Sequence, residues 1–108
     1  MVYLLSSRVV PVALDGPHTV AVRPVTPEDA RSILGEGFVS AVGHEGTAQV
    51  LSALLGIVVP PNRIAVEMRP GDEAVHLAIT ARLPEGRVLT AEELAGIPYQ
   101  LVHSRVLA

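Results

Sequence analysis

The stretch SAVGHEGTAQVLSALLG, residues 40–56, decides how the chain is read. An apolar run ending near Val42 gives way across Gly43 to a segment where Val50, Leu51, Leu54 and Leu55 recur at spacings of one and three to four. That spacing draws an apolar stripe down one side of a helix, and Gly56 stands where a left-handed residue closes such a helix. FVSAV, residues 38–42, therefore predicts a strand, and the chain from Glu45 predicts a helix that follows it. His44 lies at the passage between them, in a tight turn permitted by Gly43. Unpaired backbone donors and the positive end of the helix dipole favour an anion at such a place. Pattern alone leaves two readings of His44: a residue that caps the helix or packs at a loop, or part of an anion site.

Toward the N-terminus, VYLL at residues 2–5 reads as a short buried strand, and HTVAVRPV at residues 18–25 as a second, with Val20 and Val22 on one face. Thr26 followed by Pro27, Glu28 and Asp29 marks a helix start. A hydroxyl caps it, the proline needs no donor at the first helical position, and the acids complement the dipole. That helix is expected to reach Leu34 and stop at Gly35.

Beyond Gly56 the period changes. Ile64, Val66 and Met68 alternate with polar or small residues, PGD at 70–72 supplies a turn, and Val75, Leu77 and Ile79 alternate again. The expectation is an antiparallel hairpin. LTAEELAG, residues 89–96, predicts a third short helix capped by Thr90 with Glu93 completing a capping box, and YQLVHSRVL, residues 99–107, a last strand. This order of elements predicts an α/β fold: a small single domain over residues 1–108, with a mixed β-sheet flanked by short helices.

Composition narrows the functional classes. A chain of 108 residues has a modest core, and a partner subunit would bury further apolar surface, so a homodimer is expected. Its apolar runs are too short to span a bilayer, and MVYLLSSRVV has no basic leader, so a soluble, non-secreted protein is expected, with no membrane partner. With no cysteine there are no disulfides or thiolate metal ligands. A net charge of −3 argues against binding long nucleic acid by counterion release. All eight basic residues are arginine, whose planar fork suits phosphate.

Three further positions could join His44. Arg63 begins the first strand of the expected hairpin and Arg82 ends the second, so antiparallel pairing would bring them to one end of the ladder. Glu85 follows in RLPEGR, residues 82–87, which reads either as part of a phosphate site or as a surface turn with a weak ion pair. His18, His76 and His103 have no metal-ligand spacing and read as surface or half-buried structural residues. The glycines match neither a dinucleotide fingerprint nor a phosphate loop ending in lysine.

Taken together, FVSAVGHEGTAQVLSALLGIVVPPNRI, GDEAV and ARLPEGRVLTAEEL, with VYLLSS at the start, closely resemble the small viral and prokaryotic ring nucleases. These are type III CRISPR antagonists that degrade cyclic tetra-adenylate, and the resemblance covers nearly the whole chain. It implies that His44 is the general acid, that Arg63 contacts ligand phosphate, and that Arg82 and Glu85 belong to the active site. It also places Gly43, Gly46, Thr47 and Ser6 at the ligand. Two positions depart from the pattern: Ser6 stands where relatives often carry asparagine, and Gly46 where a serine is common. Both departures remove polar contacts and bear on affinity rather than reaction type.

The activity so implied needs no metal or other cofactor, because the ribose 2′-hydroxyl beside each phosphate is an internal nucleophile. The implied partner is cyclic tetra-adenylate lying across the two-fold axis of a homodimer, in the cytoplasm of the producing or infected cell. A protein that binds the ring without cutting it, as a sponge or sensor, is the alternative.

Overall fold

A computed structural model describes residues 1–7, 9–79 and 99–108. Five strands and two helices are found among them: β1 (Val2–Leu5), β2 (Val20–Pro24), α1 (Pro27–Leu34), β3 (Val39–Ser40), α2 (Glu45–Leu55), β4 (Glu73–Ile79) and β5 (Tyr99–Val106). The strands form one mixed sheet in the order β2-β5-β4-β1-β3. β1 pairs in parallel with β3 and β4, whereas β5 is antiparallel to both β4 and β2. VYLL is apolar throughout because it runs between two parallel neighbours with both faces covered.

The helices cover one face. Leu51 and Leu55 of α2 and Ala30 and Leu34 of α1 pack with Leu4, Val75, Leu77 and Leu101 of the sheet. α1 starts as its sequence requires: Thr26 Oγ1 accepts from Asp29 N–H at 3.1 Å, and the Asp29 carboxylate accepts from Thr26 N–H at 3.3 Å. α2 ends at Gly56, whose φ of 66° is the left-handed cap. Arg31 of α1 donates from Nε to the Leu55 carbonyl at 2.7 Å, which ties the two helices together at that cap.

The hairpin expected between residues 63 and 79 does not form. Both edges of β4 are taken, one by β1 and the other by β5, so no edge remains for the preceding segment. Residues 64–69 instead lie across the second face of the sheet. There Met68 N–H donates to the Pro11 carbonyl at 2.7 Å and Ala13 N–H to the Met68 carbonyl at 2.9 Å. Met68 is buried with Leu5, Ala74 and Val106, and Val66 is packed against them. The alternation that suggested a strand thus reflects one side of the segment facing the sheet, without a ladder. The PGD turn is present, with Asp72 N–H on the Arg69 carbonyl at 2.9 Å and Gly71 at φ 96°. The expected third helix at 89–96 lies outside the described residues.

His76 and His103 are buried rather than at the surface, at 1% and 8% exposure. His76 Nδ1 lies 2.7 Å from the Ser7 carbonyl oxygen and Nε2 2.6 Å from Ser104 Oγ, while His103 Nε2 lies 2.9 Å from Glu73 Oε1. Burial pushes His76 below the ordinary histidine range and His103 adds to this, against the opposing effect of the Ser7 bond. The unfolded chain therefore binds a proton that the folded chain resists, and stability should fall as pH drops below about 6.5. Half-buried His18 is raised by its hydrogen bond to Asp15, so its contribution runs the other way, being lost as pH rises, but the exposed Asp15 carboxylate makes this a weak surface pair. Thermal midpoints measured from pH 7.5 to pH 5 should decline, and a His76→Phe protein should show a flatter profile. A midpoint that rises on acidification would contradict this.

Candidate functional site

Since β1, β3 and β4 run parallel, their carboxyl ends share one edge of the sheet. Ligands of open α/β sheets bind at such an edge. Ser6 leaves β1 there, Ala41 to Gly43 leave β3, and β4 ends there at Ile79. α2 begins on the same side, so its N-terminus is delivered to this edge.

His44 is the N-cap of α2, with extended backbone at φ −105° and ψ 122°, and is exposed. Its Nδ1 accepts from Thr47 N–H at 3.4 Å, a long bond, and its carbonyl accepts from Ala48 N–H at 3.0 Å. With Nδ1 accepting, the neutral ring carries its proton on Nε2. The N–H groups of Glu45 and Gly46, in the first helical turn, have no carbonyl of their own helix to meet. Glu45 also puts a carboxylate on this turn, so attraction for a phosphate rests on a cation brought from elsewhere in the chain.

Arg63 is that cation. A Cβ built on Gly43 would meet Arg63 Cβ, Cγ and Nε, each at 3.4 Å, so the arginine stem lies along the glycine next to His44. Gly43 does not take a positive φ. Its use is close passage of Arg63 rather than the conformational freedom expected from the sequence. The route by which Arg63 arrives also differs from the expected ladder. Asn62 N–H donates to the Val42 carbonyl at 2.7 Å, Asn62 Nδ2 donates to the Ser40 carbonyl at 2.7 Å, and Ser40 Oγ donates to the Pro60 carbonyl at 2.7 Å. The PPNR segment thereby closes the open edge of β3, as an edge strand requires, and sets down Arg63 one residue from His44.

A pocket of about 250 Å³ opens at the same edge, lined by Leu5, Ser6 and Ser7, by Ala41, and by Ile64 and Val66. Ser6 therefore shares a wall with the residue that follows Arg63. Of the positions singled out from the sequence, Gly43, His44, Gly46, Thr47, Arg63 and Ser6 stand along this edge. Arg82 and Glu85 lie outside the described residues, Arg82 being three residues beyond Ile79 in sequence. Among the described residues, β4 pairs with β1 and β5, so the antiparallel pairing expected between the segment after Arg63 and β4 is absent. Asn62 and Ser40 carry much of the arrangement and were missed, since asparagine after proline reads only as loop composition.

Among the described residues no three His, Asp or Glu side chains cluster to hold a metal ion, and no helix is long and apolar enough to cross a membrane.

Known proteins resemble this chain in sequence, and one solved structure resembles it in fold. Uncharacterized protein 26 of Sulfolobus islandicus filamentous virus is 36% identical over 103 residues, covering 94% of this chain and 87% of its own. Uncharacterized protein ORF117 of Acidianus two-tailed virus is 39% identical over 107 residues, covering 95% and 91%. The solved structure of B116 of Sulfolobus turreted icosahedral virus superposes with a TM-score of 0.78 at 25% identity, over 96% of this chain and 97% of that one. The STIV B116-like family matches residues 2–101, and the chain belongs to that family.

Proposed function

We propose that this protein is a metal-independent ring nuclease that cleaves cyclic tetra-adenylate and thereby antagonises or switches off type III CRISPR signalling. The observation that carries the reading is the placement of Arg63 against Gly43, beside an exposed His44 at the N-terminus of α2. Two features of the chain that separately resemble the ring nucleases thus stand together at one edge of the sheet. In this reading a ring phosphate docks on the first-turn N–H groups and the Arg63 fork, with Ser6, Gly46 and Thr47 nearby. A pocket of about 250 Å³ is too small for four nucleotides but can take part of the ring, such as one base. The remainder of the ring lies across a second copy of the chain, and exposed Val9 and Ile64 at the pocket wall offer apolar surface to that copy.

The chemistry follows from the substrate. The 2′-hydroxyl gives its proton to solvent water as its oxygen attacks the adjacent phosphorus, the bond from phosphorus to the 5′-oxygen breaks, and the leaving oxygen takes a proton. His44 supplies that proton as the imidazolium. Because a protonated ring cannot accept from Thr47 N–H, the long cap bond must break before His44 acts. A docked phosphate favours both changes, since it can accept from the freed N–H and its charge favours the imidazolium. Arg82 stabilises the charge on the crowded phosphorus and Glu85 orients the imidazole or the arginine fork. Each subunit cuts one of two opposite linkages, leaving linear di-adenylate.

A second reading, a sponge or sensor that holds the ring intact, is favoured by one observation: the His44 ring is engaged as a helix cap. Calorimetric titration tests the shared part of both. Cyclic tetra-adenylate should bind at one ring per two chains. Arg63→Ala should weaken binding about 10- to 100-fold, as expected for losing charged hydrogen bonds, while changing the single-turnover rate at saturating ring far less. One ring per chain, or an unaltered affinity in Arg63→Ala, would contradict the proposed site.

A further inference from the structure

His76 has no part in the chemistry above, yet it touches the site from beneath. The ladder between β1 and β4 runs from Val2↔Glu73 to Leu5↔His76 and then stops. Beyond Leu5 the backbone of Ser6 and Ser7 bends away from the sheet to become a wall of the pocket beside Arg63. It is the His76 side chain that continues the pairing past this point, with Nδ1 2.7 Å from the Ser7 carbonyl. A carbonyl only accepts, so Nδ1 bears the proton, and Nε2 is left to accept from the Ser104 hydroxyl at 2.6 Å. Both ring nitrogens are thus occupied, at 1% exposure, and neither is free to exchange a proton with a ligand.

We propose that His76 is a positioning residue: by holding the Ser7 carbonyl it fixes the Ser6–Ser7 turn as the wall of the pocket, and so sets affinity for the part of the ring that enters there. This rests on the ring-binding reading of the same edge. The Ser7 carbonyl fixes which nitrogen of His76 donates, and the Ser104 hydroxyl, which can donate or accept, follows it. Because Ser104 meets only the far side of the ring, the Ser7 contact survives its removal. The two residues share one buried network but differ in what they do for the pocket.

The test compares His76→Phe, which keeps an aromatic ring but offers no donor, with Ser104→Ala, which leaves the Nδ1 donor in place. Ring affinity is measured by calorimetry in the His44→Asn background, so that the ring is not consumed, at a temperature well below each thermal midpoint. Single-turnover rates at saturating cyclic tetra-adenylate are measured with His44 present. His76→Phe should weaken binding about tenfold or more, the equivalent of one lost hydrogen bond to an ordered wall, and leave the saturated rate within about twofold. Ser104→Ala should lower the thermal midpoint and leave ring affinity within about twofold.

Equal affinity in folded His76→Phe, or losses of affinity in both variants that follow their losses of stability, would overturn the proposal. The wild-type protein decides the matter if the phenylalanine variant does not fold. Its His76 Nδ1–H resonance should shift, and exchange more slowly with solvent, when the ring saturates the protein. A resonance and exchange rate unmoved by the ring would overturn the proposal alone, whereas a wild-type protein that binds no ring would overturn the ring-binding reading and this proposal with it.

Discussion

His44→Asn should lower the single-turnover rate on cyclic tetra-adenylate by about 10²- to 10⁴-fold, the range for removing a general acid, while the protein stays folded and still binds the ring. Asparagine is chosen because it separates the two roles that meet in this residue. In the structure His44 caps α2 by accepting from Thr47 N–H. An asparagine side-chain oxygen makes that kind of bond at least as well, but an amide cannot give a proton to a leaving alkoxide. If His44 only caps the helix, the asparagine protein should cut any substrate of the wild type at the wild-type rate and should be no less stable. His44→Ala removes cap and acid together, so its thermal midpoint should fall below that of His44→Asn while its rate is equally low. A His44→Asn protein with the parental rate would leave the histidine as a cap.

The second large effect concerns how the edge that carries the candidate site is held. Leu51→Ala should destabilise the fold by about 2–5 kcal/mol, the cost of emptying a fully buried leucine site. Leu51 is 0% exposed at the centre of the cluster that joins α2 to Leu4, Val75 and Leu77. The residues clustered with it are apolar, and the neighbouring strands β1 and β4 are fixed by ladders on both sides. Since α2 carries His44 at its first turn, looser docking of the helix also moves the cap relative to Arg63, which is pinned to β3 through Asn62. Denaturant unfolding measures the loss. A change under about 1 kcal/mol would mean that α2 is not held by this cluster.

Much of this arrangement was legible in the sequence where the signal is local. The helix of residues 45–55 announced itself by its apolar spacing and by Gly56, and the one starting at Pro27 by Thr26 and Asp29. VYLL and YQLVHSRV read as strands and are strands. What failed was the inference from alternation to pairing. Val66 and Met68 alternate with exposed neighbours because one side of that segment lies on the sheet, while Ile64 stays exposed, and only the distant partners of β4 reveal that no edge was free. The sequence offered a ladder that would set Arg63 beside Arg82; Arg63 instead meets Gly43, and that meeting depends on Asn62 reaching Ser40, 22 positions away. The burial of His76 was hidden likewise, as its partners Ser7 and Ser104 lie 69 and 28 positions distant. Contacts over such separations leave no periodicity to read. Arg82 and Glu85, which the ring-nuclease resemblance puts at the active site, lie outside the described residues.

The central claim, that this edge cuts a ring of adenylates by using the ring's own 2′-hydroxyl, is tested most directly by the products. The protein is incubated with labelled cyclic tetra-adenylate, with no added metal and with chelator present, and the products are separated and their ends identified. The account predicts linear di-adenylate bearing a 5′-hydroxyl and, at early times, a 2′,3′-cyclic phosphate, since attack by the 2′-oxygen can leave no other ends. Recovery of the intact ring from a protein that binds it, or cleavage that strictly requires added magnesium or manganese, would contradict it.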